Sequence, residues 1–523
     1  PLTLFFNRCL RVGAFPNCWK YAYVTPIYKK GNKDDCTNYR PVSLLSCVGK
    51  LLERCVHTHL YKFFTDNSIL SPAQSGFIRG DSTIFQLLSI CNEYIVNYDK
   101  NITTQAVYFD LSKAFDRVWH RGLLLKLEAN GIGGSLLRFI SNYLSERTQS
   151  VVVKGETSDA RLVPAGVPQG SVLGPLFFLI YINDIVLNIE SIIKLFADDT
   201  SISLGLRDPD IRADILNFDL QKIHTWAETW KVKFNEEKTE LLNFKKGASP
   251  VNDLYFGDIL LEDTHIHKHL GLIIQSDCRW GEHINAVAKK VNMLIACLRG
   301  YKYVFTRKTL EIMYKSFILP IFDYADVIWD SCTEGQSMFL ENLHLDALRT
   351  IVGSVKGTSH HKLYEESGFT SLKDRRKTHR LILFFKIVNG LCPDYLFDFL
   401  PSLVSSANPY HRRRPYERQI PPARTELYKN SFLPRTTADW NSLPDSLKTT
   451  SSLSEFKRSL NMVRSNVPVY YYYGERTQQI LHCRLRLGMS NLNNDLYNRH
   501  LTNDPACLCG SPFETCDHYF FKC

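Results

Sequence analysis

Two carboxylates stand side by side in the run KLFADDTSI, Asp198 and Asp199, between an apolar stretch (Ile192, Ile193, Leu195, Phe196, Ala197) and a β-prone one (Thr200, Ile202, Leu204). Adjacent like charges repel, and a buried carboxylate is costly unless a cation neutralises it. A solvated hairpin turn accounts for one aspartate at such a place but not for two. A further carboxylate, Asp110, closes the strand-like run QAVYF and is followed by LSKAFDRVW, which suits a helix start. A strand-end aspartate beside a hairpin turn carrying two more makes a cluster of hard oxygen donors. Such donors suit Mg²⁺, which keeps several waters and shares its sphere with substrate phosphates. Two such ions about 3.5–4 Å apart activate an attacking 3′-hydroxyl and stabilise a departing pyrophosphate in an in-line displacement.

Two more stretches carry chemistry. In AGVPQGSVLGPLFF, Gly166, Gly170 and Gly174 bracket Pro168 and Gln169, so backbone and an amide side chain can approach a bound base or template strand before Ser171 opens the next helix. Taken alone, it is also an ordinary Gly/Pro turn before a buried helix. The C-terminal CLCGSPFETCDHYFFKC places Cys507, Cys509, His518 and Cys523 at the compact spacing of a tetrahedral Zn²⁺ knuckle, with Gly510 permitting the turn and Cys516 as a substitute ligand. Free thiols are the alternative. Arg484, Arg486 and Arg499 lie near it, and Tyr470 to Tyr473 either stack on unpaired bases or pack against the protein.

Positioning these groups takes several elements. From Phe5 to about Tyr98, extended pieces (YAYVTPIYKKG) mix with amphipathic ones (LLERCVHTHLYKFF). From Gln105 to Leu272, strand-like and helical runs alternate, predicting an antiparallel sheet with helices on one face. Beyond Trp280 the spacing of Ile284, Val287, Ala288, Val291, Leu294, Ile295 and Leu298 predicts an amphipathic helix, with Lys289 and Lys290 off its apolar stripe. The Pro- and Arg-rich SSANPYHRRRPYERQIPPARTELYKN reads as a basic linker or arm, and the pair Trp226 and Trp230 reads as core.

The chain has 523 residues, 44% hydrophobic and 22% charged, which predicts a multi-domain globular protein. Sixty-three Lys and Arg against 53 Asp and Glu leave a charge of +10, which favours an anionic partner such as nucleic acid. Fifteen cysteines, an odd number scattered through apolar runs, speak against an extracellular disulfide framework. No apolar run is long enough to span a membrane and the start lacks signal-peptide order, so a soluble, intracellular protein is expected. The first residue is Pro, and a piece of a longer reading frame is expected.

In this order, FDLSKAFD, GVPQGSVLGPLFF and FADDT resemble the palm motifs of reverse transcriptases, most closely those of non-LTR (LINE-type, jockey- and CR1-like) retrotransposons. YRPVSLL and QSGFIRGDST are similar to that family's finger motifs, WKVKFNEEKTE to its next palm motif and KHLGL to its palm-to-thumb grip. The resemblance covers about residues 1 to 275 and continues more loosely through FLPRTTADWNSLP and the terminal knuckle. It implies an α+β right-hand polymerase: fingers 1–104, palm 105–275 with an antiparallel sheet, helical thumb and connection 276–400, basic linker 401–469, and a zinc-knuckle module 470–523.

Carried over by position, the resemblance implies that Asp110, Asp198 and Asp199 hold two Mg²⁺. Phe115 would lie under the incoming sugar, where a rigid ring clashes with a 2′-hydroxyl. Gln169 would touch the templating region, Lys238 would serve as acid for pyrophosphate, and Arg40 with Lys29 or Lys30 would clamp the triphosphate. The implied reaction extends a DNA primer or nicked target on an RNA template with dNTPs, in a ribonucleoprotein of cytoplasm and nucleus, with one structural Zn²⁺ in the knuckle and no membrane partner. The alternatives are a group II intron or telomerase-type enzyme, and a decayed element surviving as an RNA- or DNA-binding module.

Overall fold

The strands that end at the aspartates are short, rich in β-branched and aromatic residues, and bounded by turns. In the computed structural model, which describes residues 1–235, 238–247, 249–404, 415–460 and 467–523, two compact units form. One comprises Pro1–Gln86 and Lys100–Leu270, the other Leu87–Asp99 and Gly271–Cys523.

Two sheets organise the first unit. The first contains β1 (Tyr21–Tyr28), β2 (Tyr39–Leu44), β4 (Thr148–Val153) and the two-residue β5 (Glu156–Thr157) and β6 (Arg161–Leu162). β1 pairs antiparallel with β2 and parallel with β4. The second is antiparallel throughout, in the order β7-β8-β3-β9, with β3 Thr104–Phe109, β7 Ile192–Phe196, β8 Asp199–Gly205 and β9 Glu240–Phe244. Central β3 is buried along its whole length, so it needs apolar or small residues on both faces and has them in Ala106, Val107, Tyr108 and Phe109.

Helices intersperse these strands along the chain: α1 (Leu2–Val12), α2 (Cys47–Asp66), α3 (Thr83–Asp99), α4 (His120–Ala129), α5 (Gly134–Leu144), α6 (Leu173–Ile182) and α7 (Pro209–Thr229). α6 reads LGPLFFLIYI and is apolar on every side, so it is buried all round; its Phe177 and Leu173 share one core with Leu52, Phe64, Leu127, Phe139, Leu195, Ile202 and Leu220. Trp226 and Trp230, expected as core, pack half-buried against it and also box a cation. Lys126 Nζ lies 3.8 Å from the Trp230 ring centre, 4.9 Å from that of Trp226 and 5.1 Å from that of Tyr181. Asp184 pairs with the same ammonium at 2.5 Å, and burial pushes the Lys126 amine down to about 8. The box joins α4, α6 and α7 through one desolvated charge.

The second unit is largely helical. The stripe expected beyond Trp280 forms α8 (Gly281–Gly300), with Ile284, Val287, Ala288, Val291, Ile295 and Leu298 buried and Lys289 and Lys290 exposed. Buried ion pairs add to the apolar packing: Asp330 takes Arg376 at 2.5 Å, Arg380 at 2.7 Å and Arg435 at 3.2 Å. Removing one partner would leave an uncompensated buried charge. The span 401–469 is not a linker throughout. Phe432–Asn441 and Leu453–Leu460 are helices, and Trp440 and Phe456 are buried beside Phe384 and Phe385. Its few apolar residues are concentrated there, which an average over the Pro- and Arg-rich run conceals. Arg412 to Arg414 lie outside the described residues. Among the described residues, no helix is long and apolar enough to cross a membrane.

Candidate active site

Strand register sets the carboxylates. Phe109 pairs with Thr200 and Phe196 with Asp199, so Asp110 follows β3 at the level of Asp199, and Ala197 and Asp198 form the two-residue turn between β7 and β8. Asp198 and Asp199 are exposed at their tips yet crowded by protein. Burial, with Asp198 and Asp110 adding like charge, pushes the Asp199 carboxyl up to about 6. Burial also raises that of Asp198, opposed by the cations Lys29 and Arg40. The three carboxylates do not close into a ligand group as tight as the terminal Cys/His cluster. Asp110 pairs with Lys238, whose Nζ lies 3.6 Å from Oδ2. The segment after α7 puts Lys238 there by running beside Asp110: Asn235 N–H donates to the Asp110 carbonyl at 2.7 Å, and Ser112 N–H to that of Lys233 at 2.9 Å.

A brace for the hairpin comes from QSGF, far away in sequence. Ala197 adopts a left-handed backbone, φ +56°, which costs a non-glycine residue about 1 kcal/mol. Its N–H donates at 3.0 Å to Gln74 Oε1, which also accepts the Gly76 N–H at 2.7 Å. Ser75 N–H reaches the Leu195 carbonyl at 2.8 Å, and Leu195 N–H that of Ala73 at 2.9 Å. A Cβ on Gly76 would lie 2.3 Å from Ala197 N, so only glycine fits against the turn. Gln74 and Gly76 were visible only as members of a motif; nothing local announces that they hold a hairpin some 123 residues on.

One cleft of about 920 Å³ gathers most of the expected residues: Asp110, Asp198, Arg40, Lys29, Phe115 and Gln169. Lys30 is not among its lining, and Lys33 and Lys113 add cations that the sequence reading did not single out. Phe115 lies in the 3₁₀ turn Ala114–Arg117, stacked on Phe178 (centroids 4.8 Å apart) and met edge-on by Phe77 at 6.3 Å. It is half-buried, with its ring held by core and bordering the cleft.

The Gln169 loop is fixed from both sides. Gly166 and Val167 N–H groups donate to the carbonyls of Val118 and Phe115, and Ser43 N–H donates to the Gln169 carbonyl at 2.7 Å. Gln169 Nε2 donates to Asp116 Oδ1 at 2.9 Å. Ser171 accepts the Gly174 N–H as expected of a helix start, but buried Glu53 of α2 does more, taking the N–H groups of Val172 and Leu173 at 2.7 and 3.1 Å. The signal for Glu53 was a carboxylate on the apolar stripe of an amphipathic helix.

At the C-terminus, the ligand atoms of Cys507, Cys509, His518 and Cys523 lie within 4.8 Å of one another. Cys509 Sγ is 3.0 Å from His518 Nε2, and the Cys507 and Cys523 sulfurs are 3.8 Å apart, near the roughly 3.8 Å edge that Zn–S bonds of about 2.3 Å give a tetrahedron. Gly510 takes φ +92° in the turn, and Cys516 stands outside the group. Arg484, Arg486 and Arg499 are already engaged, with the Gly353 carbonyl, with Glu366 and with the carbonyls of Asp495 and Ser490. Tyr471 lies under Arg486 and Tyr472 bonds Glu311, while Tyr470 and Tyr473 are exposed. A further group, Asp323, Asp326 and His379, is neutralised internally, since Arg375 takes Asp323 and His379 takes Asp326.

Residues 27–279 match the reverse transcriptase (RNA-dependent DNA polymerase) family. A probable RNA-directed DNA polymerase from transposon BS of Drosophila melanogaster is 30% identical over 378 residues, 69% of this chain and 42% of that protein. A retrovirus-related Pol polyprotein from type-1 retrotransposable element R1 of Bradysia coprophila is 25% identical over 99% of this chain and 50% of its own length. The chain thus spans half or less of these relatives. Among solved structures, apo telomerase from Candida tropicalis aligns with a TM-score of 0.41 at 11% identity, over 72% of this chain and 63% of that one.

Proposed function

We propose that the chain extends a DNA 3′-end on an RNA template, using dNTPs, from the premise that residues 27–279 match the reverse transcriptase family and that the chain is similar to RNA-directed DNA polymerases of non-LTR retrotransposons. The observation that carries this reading is the single cleft where Asp110 and Asp198 meet Arg40, Lys29, Phe115 and Gln169. Exposed carboxylates facing cations are hard donors that fit Mg²⁺ shared with a triphosphate. Asp110, Asp198 and Asp199 would hold two Mg²⁺, which when bound supply the Lewis acidity for attack by the primer hydroxyl and departure of pyrophosphate. Arg40 and Lys29 bind the triphosphate by charge, Lys238 holds a proton beside Asp110 for the leaving group, and Phe115 excludes a 2′-hydroxyl.

Residues 1–104 then act as fingers, 105–275 as palm and 276–400 as thumb, in a ribonucleoprotein of cytoplasm and nucleus. The terminal Cys/His group binds one Zn²⁺ and presents exposed Phe513, Tyr519, Phe520 and Phe521 to unpaired bases. Extension of a DNA primer annealed to RNA, with Mg²⁺ and with a chelator, tests the reading. Nucleic-acid binding without any extension would instead support the binding-module alternative.

Two expected results follow from single positions. Phe115→Val opens the floor under the sugar, so rNTP use relative to dNTP should rise by about tenfold or more, with dNTP incorporation changed less; an unchanged ratio in single-nucleotide kinetics would make Phe115 plain core. Cys509→Ser should remove the metal, measured at about one Zn²⁺ per parent chain, and unfold the last twenty or so residues. Template capture across a salt series should weaken while a pre-annealed primer is still extended. Equal loss of capture and extension would tie this segment to polymerisation itself.

A further inference from the structure

We propose that Asp116 is a positioning residue that fixes which pole of the Gln169 amide faces the cleft, an assignment that rests on the polymerase reading. An ionised carboxylate only accepts hydrogen bonds, so the amide must turn its NH₂ toward Asp116, at the observed 2.9 Å. That leaves Gln169 Oε1, an acceptor without a partner among the described residues, on a side chain that borders the cleft.

The backbone cannot make this choice, because it is already immobilised. Gly170, at φ +124°, lies so close to β2 that a Cβ would meet the Ser43 carbonyl oxygen at 2.6 Å, and a Cβ on Gly166 would meet the Asp116 carbonyl oxygen at the same distance. With the loop clamped between β2 and the 3₁₀ turn, the freedom left is rotation of the amide itself. Half a turn exchanges acceptor for donor. Asp116 blocks that exchange, and its burial, which raises its carboxyl against the pull of Gln169 and Lys113, makes the bond harder to replace by water.

An acceptor held toward bound nucleic acid selects a donor, and the chemistry that fits is a sugar hydroxyl. It has two sources, the 2′-hydroxyl of the templating ribonucleotide and the 3′-hydroxyl of the incoming nucleotide. Single-nucleotide extension separates them, using a template with one 2′-deoxy residue at the templating position in one arm and a 2′,3′-dideoxynucleotide in the other. The parent should lose about five- to tenfold in kcat/KM in one arm, the worth of one hydrogen bond between neutral groups. In Asp116→Asn, whose amide pairs with Gln169 in either sense, that loss should fall below about twofold. Asp116→Asn should also add nothing on a Gln169→Leu background, since the two act as one unit.

Should Asp116→Asn not fold, Gln169→Leu must by itself erase the same discrimination. Undiminished discrimination in the variant, or independent losses from Asp116→Asn and Gln169→Leu, would overturn the assignment. A parent that extends no template in either arm would sink the polymerase reading instead.

Discussion

Asp198→Asn is expected to cut nucleotide addition by about a thousandfold while leaving the fold and nucleic-acid binding intact. Asn has nearly the same shape, and Asp198 is exposed at the tip of the β7–β8 turn. Its charge does not stabilise the hairpin. Asp110 and Asp199 add like charge beside it, and burial first, with the like charges of Asp198 and Asp110 second, pushes the Asp199 carboxyl up to about 6. Removing one of three repelling charges therefore leaves stability unchanged or slightly raised. A large loss of extension without a fall in unfolding temperature places the defect in chemistry. Asp110→Asn should behave alike, though it also frees Lys238 from its ion pair, an exposed contact of little energetic weight. Single-turnover extension and thermal unfolding on the same preparations check this, and extension within about tenfold of the parent would remove Asp198 from the catalytic group.

Gly76→Ala should be nearly as damaging for a different reason. The added methyl would sit 2.3 Å from Ala197 N and 2.8 Å from the Phe196 carbonyl carbon, both backbone atoms that no rotamer change can relieve. Either the QSGF loop withdraws, breaking the Gln74 bonds to Ala197 and Gly76, or the turn carrying Asp198 shifts. A misplacement of about 1 Å costs on the order of a hundredfold in rate, and overpacking costs about 1–3 kcal/mol in stability. Gln74→Leu tests the same brace without a clash, by leaving two N–H groups unpaired. Gly335→Ala is the control: the site is helical with nothing within 4 Å, so it should be neutral or slightly stabilising. If Gly76→Ala extends primers like the parent, the loop is not what holds the hairpin.

Both predictions begin from features that were unequally visible in the amino-acid sequence. The carboxylates were legible because their placement is local: the apolar run of β3 stops at Asp110, and two residues between apolar runs make a tight turn. The same holds for Cys507, Cys509, His518 and Cys523, whose ligands close over one short loop and a single helical turn. The α8 stripe was legible from its period.

What the sequence left open depends on residues that meet only after strands and helices have chosen neighbours. Lys126 acquires its partners only when Trp226 and Trp230 close around it from the end of α7. Arg486 reads as a free cation until Glu366 and Tyr471 enclose it. Glu53 caps a helix 119 residues away. Composition made 431–460 look like part of a linker because a handful of buried rings carry its packing. By itself, then, the sequence determined the chemical groups and their local placement, since a turn, a short chelate loop and a periodic stripe are fixed by bond geometry over a few residues. The tertiary structure alone decided which distant side chains hold those groups in place, because register, desolvation and the pairing of buried charges arise only when remote segments exclude water together.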